Sequence, residues 1–142
     1  MPLFSSENVL VPIDFSDEAM KALKDTLEFV KDPAKVHALY VLSPLEATDP
    51  GVVWQTVDDD TRIAKIREMY AKHFPEEVYQ KIKFTVEVGN PSSEIIDYAQ
   101  SNGVDLIVIP SSGKTGLSRF FMGSVSEKVV RFSHCPVLVI RH

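Results

Sequence analysis

The chain is expected to fold as an α/β protein: a single doubly wound domain built on a five-stranded parallel sheet with helices on both faces. Three observations predict this. Short apolar runs rich in β-branched residues alternate with longer amphipathic stretches. Cap and turn residues separate the two kinds of segment. The chain has 142 residues, 44% of them apolar, which suffices for one core without a disulfide or metal staple. Alternating elements of this kind imply parallel strands joined by right-handed crossovers. No repeat, low-complexity tract or linker interrupts the pattern, so residues 1–142 are expected to be one domain.

Residues 8–14, Asn-Val-Leu-Val-Pro-Ile-Asp, form the first strand. Ser16 is placed to cap the helix that follows, and Asp17 and Glu18 suit the positive end of its dipole. Ala19, Leu23, Leu27 and Val30 recur at helical spacing, and Asp32-Pro33 stops the helix. Residues 36–42 are the second strand. Residues 45–56 lack clean periodicity and contain Pro50-Gly51, so a loop is expected. Residues 58–74 read as a charged amphipathic helix, and Asp58-Asp59-Asp60 as its acidic start. Pro75 interrupts it, with a further turn or two over residues 76–81.

Residues 82–88 are the third strand, and Gly89-Asn90-Pro91 turns the chain. Asn90 suits a cap with Pro91 at the first helical position, and Asn102-Gly103 is a stop. Residues 104–109 are the fourth strand, 111–122 a loop, 123–133 the last helix and 137–140 the fifth strand. In such sheets ligands sit at the carboxyl ends of strands, where the strand order reverses. The loops after Asp14, Leu42 and Ile109 are therefore the candidate sites.

The net charge of −5 argues against a broad nucleic-acid or anionic-membrane footprint. The first eight residues lack the features of a signal peptide, and no apolar run approaches a membrane span. With one cysteine, Cys135, the expected location is cytoplasmic. Cys135 precedes a strand and suits a small buried hydrophobe better than a nucleophile. His37, His73, His134 and His142 have no Cys or carboxylate partners at zinc-ligand spacing, so no metal site is expected. Trp54 reads as a loop anchor. No catalytic set declares itself.

The segment after strand four carries the chemistry. It runs from Pro110 through Gly113, Lys114, Gly116 and Arg119 to Gly123-Ser124-Val125-Ser126-Glu127. Glycines let backbone N–H groups approach an anion, a helix N-terminus adds donors and dipole, and Lys114 and Arg119 add charge. A structural reading stands beside this one. Ser124-Val-Ser-Glu127 matches the capping box S-x-x-E, and Gly113 and Gly116 suit turns. Gly113-Lys114-Thr115 is not a P-loop, because the first glycine of that motif would fall on Val108, inside a strand.

Residues 9–16, Val88-Gly-Asn-Pro91, residues 105–109, the Gly-rich loop and residues 135–140, in that order, make the chain resemble the universal stress protein family over nearly its whole length. The family's ATP-binding branch carries G-x2-G-x9-G-[ST]. Gly113 and Gly123-Ser124 match its later positions, with nine residues, 114–122, between the glycines. Its first glycine is Pro110 here, which removes a backbone donor and fixes φ. Ser112 stands where family binders often have His.

The resemblance implies that Pro12, Ile13 and Asp14 sit beside base and ribose. It places Val41 at the adenine edge, and Gly113, Gly123, Ser124, Val125 and Ser126 on the phosphates. Asp14, a carboxylate at a strand end, suits a ribose hydroxyl or base amine; the other reading is a turn residue ahead of Ser16. The implied ligand is ATP with Mg2+ bridging its phosphates. The implied assembly is a homodimer through the last strand, acting as a nucleotide-dependent switch with at most slow hydrolysis. A non-binding dimeric scaffold, with Pro110 marking a decayed pocket, is the alternative.

Overall fold

The computed structural model describes residues 5–44, 58–111 and 123–141. The first strand, β1, spans Val9–Pro12. Ser16 caps α1 (Asp17–Val30) as its sequence suggests, its Oγ accepting the Ala19 N–H at 3.2 Å. The helix closes where Lys31 turns left-handed and returns its N–H to the Leu27 carbonyl. A 3-10 turn, Pro33–Lys35, leads into β2 (Val36–Leu42). Asp58 caps α2 (Asp59–His73) by accepting the Thr61 N–H at 2.7 Å, a bond that holds its carboxyl below the usual range. The short helix α3 (Glu77–Gln80) precedes β3 (Lys83–Val88).

Asn90 caps α4 (Pro91–Ser101), accepting the Ser93 N–H at 3.1 Å with Pro91 at the first position. Gly89 just before it passes so close to Glu94 that a Cβ would run into the Glu94 carboxylate. Then come β4 (Leu106–Pro110), α5 (Ser124–Phe132) and β5 (Val137–Ile140). The first and fourth strands are shorter than the apolar runs suggest. Val104 serves the turn out of α4 instead, while Asp105 donates its N–H to the Asn8 carbonyl and its carboxylate accepts from Ser5 Oγ and the N–H groups of Glu7 and Asn8.

The strands are all parallel, in the order β3-β2-β1-β4-β5. Alternate side chains feed two cores, as the pleat requires. Val9, Val11, Ala38 and Val108 face α1, α2 and α3, together with Leu23, Tyr70 and Phe74. Leu10, Leu39, Ile107 and Ile109 face α4 and α5, together with Ile95, Ala99 and Val129. Helices therefore cover both faces, as expected.

His37 sits on the second face and is buried. Its Nδ1 lies 2.8 Å from Tyr98 Oη, and its Nε2 lies 3.4 Å from Asn8 Oδ1. The Asn8 oxygen only accepts, so the proton belongs on Nε2 and Tyr98 donates to Nδ1. Burial pushes the imidazole pKa down, and Lys83 on the neighbouring strand pushes it further. The folded chain thus prefers neutral His37, while the unfolded chain takes a proton near the ordinary value of about 6.5. Stability is full above that pH and falls as pH drops from it toward the lowered folded value. A urea midpoint that declines as pH drops below about 6.5, and declines less in His37→Gln, is the expected result.

Candidate functional site

The crossover from β3 to β4 carries the chain past β1 to the other half of the sheet. Two halves wound in opposite directions part at the carboxyl ends of β1 and β4. The ladders show the parting. Pairing between β1 and β4 covers only Val9↔Leu106 and Leu10↔Ile107, whereas β4 and β5 stay paired to Pro110↔Ile140. Of the three candidate loops, those after Asp14 and Ile109 flank this crevice.

One wall is the connection from β1 to α1. Pro12 is half-buried at the strand end. Ile13 is buried in the first core and its N–H donates to the Leu39 carbonyl at 2.8 Å, so neither its side chain nor its N–H faces a ligand. Asp14 is half-buried, and its Oδ1 accepts the Ser16 N–H at 3.0 Å. That is the turn role; Oδ2 has no partner among the described residues and is the atom that can accept from a ligand. Val41 is half-buried on β2, one strand away, packed against the second core.

The other wall is the start of α5. Gly123 is the N-cap, with φ −64° and ψ 159°, and offers no side-chain cap. Ser124 is the first helical residue and is exposed, so the expected capping box does not form. Glu127 instead pairs with Arg131, one turn on, at 3.0 Å. Gly123 brings no side-chain acceptor to the first N–H groups of α5, such as most helix starts carry. The Gly123 N–H itself donates to the Ser111 carbonyl at 2.9 Å, which aims the helix start. Val125 is half-buried against the second core. Ser126 is buried and its Oγ donates to the Pro110 carbonyl at 3.0 Å. Its hydroxyl is therefore a brace between α5 and β4; only its N–H is left for an anion.

Pro110 has a place in this geometry. Ile107 and Ser111 donate toward β5, to Pro136 and Ile140. The intervening Pro110 nitrogen therefore faces β1, where the ladder has already ended. The missing N–H costs the sheet no bond there, but it leaves that stretch of crevice wall without a donor. Gly113, Lys114 and Arg119 lie outside the described residues, as do Trp54 and His142.

The sequence reading missed Phe15. Its φ is +62°, left-handed for a bulky residue, a conformation that costs on the order of 1–3 kcal/mol. Its ring stacks on His73 and tilts against Tyr40. The one available signal was spacing: three residues between a strand end and the N-cap Ser16 demand a sharp turn.

A parallel sheet wound both ways, with a crevice at its switch point between Asp14 and the start of α5, defines a doubly wound α/β protein. The universal stress protein family model matches residues 6–141, and the chain belongs to that family. Universal stress protein MJ0531 of Methanocaldococcus jannaschii is 33% identical, covering 95% of this chain and 82% of the relative. The solved structure of protein MJ0577 superposes with a TM-score of 0.73 at 33% identity, covering 96% of each chain. A family member from Arabidopsis thaliana, solved with AMP bound, shares the fold at a TM-score of 0.62 and 19% identity, covering 95% of this chain and 91% of that one.

Proposed function

We propose that this chain is an adenine-nucleotide-binding regulatory protein of the stress response, one domain over residues 1–142, with ATP its ligand. The observation that carries the reading is the parted crevice at the switch point. It sets the Asp14 carboxylate opposite a helix start whose N-cap is a glycine. A triphosphate gains from the dipole and donors of α5, and a ribose or base from Asp14. The AMP bound to the Arabidopsis relative supports an adenine nucleotide as the class. Among the described residues no three His, Cys, Asp or Glu side chains gather as a metal site. Mg2+ would enter with the nucleotide, held by phosphate oxygens, and Asp14 is a described carboxylate that could join them.

The chain acts as a switch, with hydrolysis slow at most, in the cytoplasm. No helix among the described residues is long and apolar enough to cross a membrane. It pairs as a homodimer through β5. Among the described strands β5 is hydrogen-bonded to β4 alone, Leu138 on it is 51% exposed, and Phe132 and Val130 at the end of α5 are exposed as well.

A native mass spectrum of the purified protein tests both parts at once. The expected result is twice the chain mass carrying co-purified adenine nucleotide, with ATP binding by isothermal titration. A bare protein that takes up neither ATP nor AMP would favour the dimeric scaffold instead, for which the donor-free wall at Pro110 speaks.

A further inference from the structure

The proposed function makes no use of Phe15, yet its backbone is held where its side chain does not favour it. Among the described non-glycine residues only Phe15 and Lys31 have left-handed φ values, +62° and +71°. Lys31 closes a helix, its N–H returned to the Leu27 carbonyl. Phe15 lies instead directly after Asp14, at the crevice. The backbone is tied on both sides of it: the Ile13 N–H to the Leu39 carbonyl, and the Ser16 N–H to Asp14 Oδ1. Its ring turns to the α1 and α2 face. There it stacks on His73, the last residue of α2, at 5.2 Å and 24°, and lies 5.3 Å from the Tyr40 ring on β2.

We propose that Phe15 is a positioning residue: its ring, packed on His73 and Tyr40, holds the left-handed turn that presents Asp14 to the crevice. The end of α2 is thereby tied to the nucleotide site. This deepens the nucleotide reading and rests on it. The physical argument is one of compensation. A residue with a Cβ leaves the left-handed region unless contacts hold it there, and glycine stays at no cost. The ring contacts supply the hold, and when they go the turn relaxes and the Asp14 carboxylate moves with it.

Alanine and glycine at position 15 separate this from simple packing, since both delete the same ring. Phe15→Ala is expected to weaken ATP binding by about tenfold or more, and to speed amide exchange at Ser16, whose N–H reports the Asp14 turn. Phe15→Gly is expected to recover most of both losses, although its thermal stability also falls. His73→Ala is expected to weaken binding several-fold in the parent and hardly at all in the Phe15→Gly background, as coupling through the ring requires. The proposal is overturned if Phe15→Gly is no better than Phe15→Ala, or if His73→Ala acts equally in both backgrounds. Should the parent bind no ATP, the nucleotide reading fails on its own. Ser16 exchange still decides the turn: faster in Phe15→Ala than in Phe15→Gly supports it, and equal rates overturn it.

Discussion

Leu10→Ala is expected to remove about 2–5 kcal/mol of stability, enough to lower the melting temperature on the order of 10 °C. Leu10 is fully buried at the centre of β1, the middle strand of the sheet, and packs in the core under α4 and α5. Its neighbours on that face, Leu39 and Ile107, belong to the flanking strands and are also fully buried. A methyl in its place leaves a cavity that three strands would have to shift together to close. Phe29→Ala is the control. It removes a larger side chain, but one that is 65% exposed on α1, and its expected cost is within about 0.5 kcal/mol. Calorimetry on both variants checks the contrast; equal losses would mean that burial in this core does not carry the stability.

The features legible in the sequence were those set by local chemistry. Ser16, Asp58 and Asn90 each cap the helix their side chains suit, because an N-cap needs only a side-chain oxygen and the next turn. The alternation of Val9, Leu10 and Val11 between two cores follows from the pleat once both faces are covered. The strand order was not legible. The sequence leaves three loops as equal candidates; the place of β1 between β2 and β4 selects the crevice between Asp14 and Gly123. Ser124 misled for a local reason. S-x-x-E is a real cap pattern, but the helix entry is fixed from outside it, by the Gly123 N–H on the Ser111 carbonyl. A glycine N-cap leaves no side-chain signal to compete with the serine beside it. Nothing in the sequence around His37 points to Tyr98; only the crossover brings that residue, 61 positions on, against its ring.

Gly123→Trp is expected to weaken ATP binding by at least about 100-fold, some 2.7 kcal/mol, while the fold survives. The backbone at Gly123 does not require glycine, because its φ of −64° is open to any residue. Nor does packing require it: a Cβ built there meets no heavy atom within 4 Å among the described residues. Among the described residues the new side chain therefore starts into open space at the head of α5, and a poorer cap costs on the order of 1 kcal/mol. That space is where a phosphate would approach the first N–H groups of the helix. Ser126→Ala makes the complementary cut. It removes the buried bond to the Pro110 carbonyl, leaving that oxygen short of a donor at a cost of about 1–3 kcal/mol, but adds no bulk to the crevice. Its effect should fall on melting temperature first and on affinity second, the reverse of the tryptophan variant. Titration and thermal melts on the two proteins give the test. If Gly123→Trp binds ATP as tightly as the parent, the phosphates do not lie at this helix, and the anion-binding reading of the segment after β4 is lost.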